Sequence, residues 1–189
     1  MRSLVRLLDG VIRHSSRVFE FNSDPNCLLR LQFTSAPRTL RLSDTTLRAG
    51  DLVLLLHLWN ERLPPYPPGG ADLAWARTFL RRFKYSLSLA ADFLQNSPRA
   101  ASVRGVGGMT ILLDAGLHAS GRQFVQRLGF QVFPYSNPLG RFSEFWENFY
   151  SWIIIWTFNP RSLPRRSLFS LRRSEIWISR EAFLRRFGR

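Results

Sequence analysis

A histidine and a carboxylate lie close together at residues 57–62, within a short cluster of polar and aromatic side chains. The cluster consists of His57, Trp59, Asn60, Glu61 and Arg62. Because side chains alternate along an extended chain, His57, Trp59 and Glu61 are predicted to share one face. A histidine held beside a carboxylate suits a general base pair, which makes His57 and Glu61 the catalytic candidates. Trp59, Asn60 and Arg62 are the candidates for binding a sugar or a phosphate.

A predicted strand positions these residues. Residues 50–64, GDLVLLLHLWNERLP, begin with a turn and continue as an unbroken apolar run, which is typical of a strand buried on both faces. Ligand sites of open α/β sheets often lie beyond the carboxyl ends of strands, so the polar cluster is suitably placed. The loop that follows has prolines at positions 64, 65, 67 and 68 and glycines at 69 and 70, and it is predicted to form a lid or wall of that site.

Structural interpretations stay open for every candidate. His57 would then be hydrogen-bonded in the core, while Glu61 pairs with Arg62 at the surface. The glycine-rich stretch 102–108 leads into a predicted strand and not into a helix N-terminus, so it favours a tight turn with close backbone packing over a phosphate loop. His118 has no metal partner near it in the sequence, and no metal site is predicted. The chain has no Ser-His-Asp, Walker or zinc-ligand pattern, so whether it is an enzyme stays undecided.

Composition limits the classes of partner. A chain of 189 residues suits one domain. Basic residues outnumber acidic ones 27 to 13, a net charge of +14, and all of them except Lys84 are arginine. This charge favours anionic partners such as membrane headgroups or phosphates. Nucleic acid is not expected, because zinc-finger, RNP-like and helix-turn-helix patterns are missing from the sequence.

Cys27 is the single cysteine, which excludes an internal disulfide and a cysteine-zinc site. The oligomeric state stays unknown.

The first residues are predicted to form a basic amphipathic helix over residues 1–16, followed by an α/β domain over residues 17–189. Arg6 and Asp9 interrupt any signal-peptide hydrophobic core, so a cytoplasmic location is expected. Such a helix either packs against its own domain or lies on a membrane. The second alternative would place the protein at the periphery of the inner membrane.

The period of the apolar residues predicts a mixed α/β sheet. Alternation from Arg17 onward predicts an N-terminal antiparallel meander, and the later strands and helices alternate as in parallel pairings. The expected strands cover residues 17–22, 29–33, 38–43, 109–113, 130–133 and 175–179, together with the apolar run that follows the turn at residues 50–51 and reaches the polar cluster. A long helix over residues 72–96 is predicted to bury its apolar stripe, from Leu73 to Leu94, on the sheet. A second helix ends at Gly129, and Ser179 caps a terminal helix that Gly188 ends.

Residues 142–158 carry aromatic side chains at helical spacing and precede an arginine-rich end. Their uncharged window, residues 148–160, has 13 residues. A bilayer span needs about 20, so this segment is not a transmembrane helix. Aromatic rings beside arginines suit a membrane interface with anionic lipid, and the alternative is a core helix followed by solvated charges. The candidate membrane or partner surface comprises Trp146, Trp152, Trp156, Arg165, Arg166, Arg172 and Arg173.

Three segments resemble the bacterial YkoP-like domain family. They are residues 50–64, residues 107–138 (GGMTILLDAGLHASGRQFVQRLGFQVFPYSNP) and residues 172–188 (RRSEIWISREAFLRRFG), and with the linking helices the resemblance covers residues 18–188. Members of this family stand alone or are attached to polysaccharide deacetylase domains, which implies an association with envelope polysaccharide metabolism. The Asp-Asp and paired-histidine motifs of the deacetylases are absent here, so deacetylase chemistry is not implied.

The order of elements is also similar to the later half of the GNAT-type N-acetyltransferase fold. The phosphate-binding Q/R-x-x-G-x-G/A loop of that family is replaced by the proline-rich residues 60–71, which puts acyl-CoA binding in doubt. Three hypotheses follow. The first is an accessory or binding domain at the membrane surface, with anionic lipid or an envelope-biosynthesis protein as its partner. The second is an acyltransferase-like enzyme that uses acyl-CoA with His57 and Glu61, and the third is a structural module that exposes residues 142–158 to another protein.

Overall fold

The computed structural model describes residues 17–65, 67–68, 70, 72–110, 118–135 and 174–188. The predicted helices over residues 1–16 and 142–158 lie outside these residues. So do all of the predicted surface residues, Trp146, Trp152, Trp156, Arg165, Arg166, Arg172 and Arg173. Within the described ranges, every helix is too short or too polar to cross a bilayer.

A mixed sheet of five strands is the centre of the fold. The strands and α-helices, in chain order, are β1 (Leu29–Ser35), β2 (Leu40–Arg41), β3 (Thr46–Leu47), β4 (Leu52–Leu58), α1 (Leu73–Asn96), β5 (Gly105–Thr110), α2 (His118–Arg127), β6 (Gln131–Pro134), β7 (Ser174–Ser179) and α3 (Arg180–Phe187). The sheet has the order β1-β4-β5-β7-β6, and β2 and β3 form a separate two-stranded sheet. The prediction of a single α/β domain with a mixed central sheet is confirmed.

Strand β4 joins the antiparallel and parallel parts of the sheet. It runs antiparallel to β1, with Leu29 opposite Leu58, and parallel to β5, with Val53 opposite Gly105. Strand β7 then runs antiparallel to both β5 and β6, so β4, β5 and β6 all point in one direction. Their carboxyl ends therefore lie toward the same edge of the sheet, and the residues after β4 lie at that edge.

The N-terminal meander is shorter than the alternation predicts. The segment from Arg17 makes only an isolated bridge between Phe19 and Leu31. Residues 38–43 contribute the two-residue strand β2, which pairs with β3 and not with the main sheet. Alternation alone specifies an extended chain but not its neighbour, so it overestimated the extent of pairing.

The three α-helices within the described ranges pack on one face of the sheet. A buried cluster joins Leu54 and Leu56 of β4 to Leu87 of α1, Val125 of α2 and Phe183 of α3. Helix α1 begins as predicted, because the Asp72 carboxylate accepts a hydrogen bond from the backbone nitrogen of Trp75 at 2.7 Å. This cluster is the main core of the described fold.

The apolar stripe of α1 is buried in its second half only. Its buried residues are Ser86, Leu87, Ala90, Ala91 and Leu94. Leu73 was predicted to be buried with them, and that prediction is wrong, because 76% of its surface is exposed. The reason is geometric: the sheet underlies only the later turns of this 24-residue helix, and the first turns extend past the core.

The glycines before position 109 lie inside β5 and do not form the predicted turn. A β-carbon on Gly107 would lie 2.5 Å from Cζ3 and 2.7 Å from Cδ2 of Trp177, which is directly opposite on β7. The indole nitrogen of Trp177 donates to the buried Glu175 carboxylate at 3.0 Å, and Arg38 donates to the same oxygen at 3.1 Å. The indole is therefore held over the strand, and only glycine leaves room for it.

Replacing Gly107 with alanine should destabilise the protein by about 1–3 kcal/mol, the usual cost of overpacking a core. The indole would have to move away and weaken its bond to Glu175. Urea denaturation of Gly107→Ala measures the effect. In a Trp177→Leu background the same alanine should cost less, because the ring it contacts is gone. Equal costs in both backgrounds would contradict the close contact.

Candidate functional site

The chain turns sharply directly after β4. The strand ends at Leu58, and Asn60–Arg62 form one turn of 3-10 helix. The backbone nitrogen of Trp59 donates to the carbonyl of Leu28 at 2.7 Å. The prediction that His57, Trp59 and Glu61 share one face of an extended strand is therefore wrong, because the alternation stops at Leu58.

Two guanidinium groups contact the indole ring of Trp59. The Cζ atom of Arg62 lies 3.4 Å from the ring centroid and that of Arg30 lies 4.0 Å from it. Only 6% of Trp59 is exposed, and 6% of Arg30. Cations over an aromatic face are attracted by its quadrupole, and more strongly where water is excluded. Trp59 thus connects the turn after β4 to strand β1.

Carboxylates and a backbone carbonyl complete the surroundings of these arginines. Arg30 forms ion pairs with Glu20 at 3.2 Å and with Glu61 at 3.6 Å. Arg62 donates to the carbonyl oxygen of Asp24 at 2.6 Å. The structural interpretation of the sequence paired Glu61 with Arg62, whereas the structure pairs Glu61 with Arg30. The positive charge of Arg30 is balanced by the carboxylates of Glu20 and Glu61, so the Arg30 guanidinium does not favour binding of a further anion.

His57 is engaged by strand β1. Its Nε2 atom lies 2.8 Å from Oε1 of Gln32, so the ring donates its Nε2 proton to the amide oxygen. Burial, together with the smaller effect of the neighbouring Arg30 charge, lowers the pKa of His57 to about 4. The imidazole is therefore neutral at pH 7. Among the described residues, no hydrogen bond or ion pair joins His57 to Glu61, so the predicted catalytic pair is not assembled there.

A hydrogen-bonded loop at Asp24 supports the turn from the other side. The Asp24 carboxylate accepts from the backbone nitrogen of Asn26 at 2.7 Å and from the Tyr85 hydroxyl at 2.7 Å. These two bonds lower the pKa of Asp24, the backbone bond contributing most. Helix α1, which carries Tyr85, is thereby tied to the loop whose carbonyl oxygen holds Arg62.

Sequence reasoning missed the partners that surround the cluster, namely Glu20, Asp24, Arg30 and Gln32. Arg30 lies directly opposite His57 in the β1–β4 register. A polar residue within the alternating segment 29–33 was a visible signal, but only the pairing of the two strands brings it beside His57.

The proline-rich loop was predicted to form a lid or wall of the site. The Trp75 indole nitrogen donates to the carbonyl of Pro64 at 3.0 Å, which ties the loop to α1. Its role as a lid stays a prediction.

Two secondary candidates have different positions. The glycine-rich stretch 102–108 ends inside β5, so it does not form a phosphate loop, and His118 is the first residue of α2. In the part of the chain that the structure describes, no group of three His, Cys, Asp or Glu side chains could hold a metal ion.

Comparison with known proteins gave one match. A protein-family model described as "YkoP domain" matches residues 1–187, which include every residue of the candidate site. No curated protein and no solved structure matches the chain.

Proposed function

This chain belongs to the YkoP domain family, and from that premise we propose that it is a binding domain which acts at an anionic membrane surface. In this proposal it is an accessory to cell-envelope polysaccharide or lipid metabolism. The envelope association rests on the family resemblance, and the membrane association rests on the charge and exposure of the described helices.

The observation that carries the proposal is the basic surface of the helical layer. Each of the three helices presents exposed cations, and the acidic residues within them are Asp92 and Glu181. The exposed cations are Arg77, Arg81, Lys84, Arg122, Arg127, Arg185 and Arg186. The three described helices cover the same face of the sheet, so these cations belong to one layer of the fold, and further exposed arginines lie outside it at positions 41, 48 and 104. A basic surface of this extent favours an anionic partner such as a lipid surface.

The geometry at the end of β4 supports binding over catalysis. His57 is neutral, hydrogen-bonded to Gln32 and separate from Glu61, which is paired with Arg30. A general base must reach the proton it removes and works best with a pKa near the working pH, whereas the pKa of His57 is about 4. The acyltransferase hypothesis requires such a group, and the described arrangement favours a structural role for these residues.

Sequence composition gives independent support. Residues 159–189 contain nine arginines and two glutamates, directly after the aromatic residues 142–158. Aromatic rings beside arginines are typical of segments at the interface of membrane and water. Both segments are part of the proposal. Residues 142–173 lie outside the described residues.

Co-sedimentation of the full chain with vesicles tests the proposal. We expect binding to vesicles that contain about a third phosphatidylglycerol at low salt and a large loss of binding in 1 M salt, where the Debye length falls to about 3 Å. Vesicles of pure phosphatidylcholine are the matched control and should bind weakly. A protein that stays in the supernatant with anionic vesicles at low salt would disprove the membrane association.

A further inference from the structure

One stripe of α1 passes from complete burial to exposure. Leu73, Leu80, Leu87 and Leu94 are spaced seven residues apart and therefore lie on the same side of the helix. Leu87 and Leu94 are fully buried, Leu80 is half-buried, and Leu73 is 76% exposed. The side of α1 that is buried at Leu87 and Leu94 therefore remains apolar at Leu73, where the helix extends beyond the core. Single exposed leucines are common on protein surfaces, so Leu73 gains significance only from the charges beside it.

Cations border the emerging part of that stripe. Arg77, Arg81 and Lys84 follow Leu73 by four, eight and eleven residues, and all three are exposed. At 3.6 residues per turn, their directions lie within about 80° of that of Leu73. One flank of the first half of α1 therefore combines an apolar residue with three positive charges.

Stacked aromatic rings stiffen the same half of the helix. The rings of Trp75 and Phe79 are 5.4 Å apart and inclined by 5°, and those of Phe79 and Phe83 are 5.6 Å apart and inclined by 15°. The Trp75 indole is also bonded to the carbonyl of Pro64. The emerging turns are consequently fixed in place, and no ordering of this helix is needed before it meets a partner.

We propose that the first three turns of α1 are the element that contacts an anionic bilayer. Leu73 enters the boundary between headgroups and acyl chains, while Arg77, Arg81 and Lys84 meet lipid phosphates. Charge complementarity argues for this occupant, because residues 73–84 contain these cations and no carboxylate, and the carboxylate of the adjacent Asp72 caps the helix. The combination of apolar contact and electrostatic attraction is how surface helices bind anionic lipid. This inference rests on the proposed membrane function and names the surface that performs it.

The test compares two triple variants in the vesicle assay. Arg77→Gln/Arg81→Gln/Lys84→Gln should reduce partitioning onto anionic vesicles by on the order of a hundredfold, since each cation near the surface contributes substantially. The matched control, Arg41→Gln/Arg48→Gln/Arg104→Gln, removes three exposed cations from outside α1. It should change partitioning by no more than about threefold. Equal losses in the two variants would overturn the α1 assignment and leave the membrane function standing.

Leu73→Ser tests the apolar contribution separately. It should lower partitioning by roughly three- to tenfold, with no change in melting temperature, because the side chain is exposed. Unchanged partitioning of Leu73→Ser would overturn insertion of the leucine. Absence of binding by the unmodified protein would instead mean that the membrane function itself fails.

A fluorescent label identifies what covers position 73. In Leu73→Cys the native Cys27 is fully buried, so the new thiol is the reactive one. An environment-sensitive dye there should report a watery environment in solution and an apolar one when anionic vesicles are added. A dye already in an apolar environment before vesicles are added would overturn the proposal in favour of coverage by another segment or a second copy. A dye that stays watery on bound protein would overturn it as well.

Discussion

Lowering the pH from 7 to 4 should reduce the free energy of unfolding by on the order of 3 kcal/mol through His57 alone. The pKa of His57 is about 4 in the folded protein against an ordinary value of 6.5. Between these values the unfolded chain binds a proton at His57 and the folded chain does not. The stabilisation is therefore complete above pH 6.5 and is lost as the pH falls toward 4. Burial excludes the charged ring, and the Arg30 guanidinium opposite it on β1 adds repulsion.

Urea denaturation at several pH values between 4 and 7 measures this effect, with His57→Gln as the comparison. Glutamine removes the titrating ring and keeps a polar side chain facing Gln32. The stability of the variant should depend less steeply on pH, so the difference in stability between the two proteins should change by on the order of 3 kcal/mol between pH 7 and pH 4. Asp24 also contributes acid sensitivity, because its lowered pKa favours the charged form in the folded state. Only the difference between the two proteins therefore reports on His57. An imidazole that titrates near pH 6.5 in NMR spectra of the folded protein would contradict the buried, neutral ring.

The elements predicted best from the sequence are those whose ends are determined locally. Helix α1 begins at the Asp72 cap, and α3 begins after Ser179, whose hydroxyl accepts from the backbone nitrogen of Ala182 at 3.0 Å. Gly129 adopts a φ of 90°, the left-handed conformation expected after a helix. Each of these features involves residues within four positions of one another, so the sequence contains the whole signal.

The features that were wrong or missed depend on strand pairing. Gly107 was predicted to lie in a tight turn with close backbone packing; it lies in a strand instead, and the space above it is filled by Trp177 across the β5–β7 pair. Arg30 becomes a neighbour of His57 only through the β1–β4 register. Alternation within one strand states which residues share a face but does not state which strand lies beside them. The position of the polar cluster directly after β4 was therefore predictable, while its charge balance was not.

The turn after β4 shows how a local pattern was overridden by a distant one. Trp59 continues the strand pattern in sequence, yet its ring contacts two arginines and its backbone nitrogen bonds Leu28. The bond to Leu28 continues the β1–β4 ladder by one step, and the cations over the buried ring add an attraction that strand alternation does not specify. The chain then turns into 3-10 helix at Asn60, and Glu61 pairs with Arg30.

Arg180→Met should destabilise the protein by about 3–5 kcal/mol, which is the largest effect expected of any single substitution considered for the helical layer. The guanidinium donates to the carbonyl oxygens of Ala100 at 2.5 Å, Leu94 at 2.9 Å and Val103 at 3.4 Å. Leu94 lies in the last turn of α1, where carbonyl groups have no partner within the helix. One cation thus satisfies the carboxyl end of α1 and the segment that leads into β5, and it interacts favourably with the helix dipole.

Thermal and urea denaturation of three variants separate this role from general charge effects. Arg180→Lys keeps the charge but cannot reach three carbonyls from a single ammonium, so its loss should lie between those of the wild type and Arg180→Met. Arg185→Met removes another cation from the same helix. The Arg185 side chain is 71% exposed and its ion pair with Asp44 is long, at 3.9 Å, so the effect should stay within about 0.5 kcal/mol. High salt should leave the Arg180→Met loss almost unchanged, because neutral carbonyl oxygens are its partners. A loss that disappears in salt, or that Arg185→Met reproduces, would show that charge and not carbonyl capping is what Arg180 contributes.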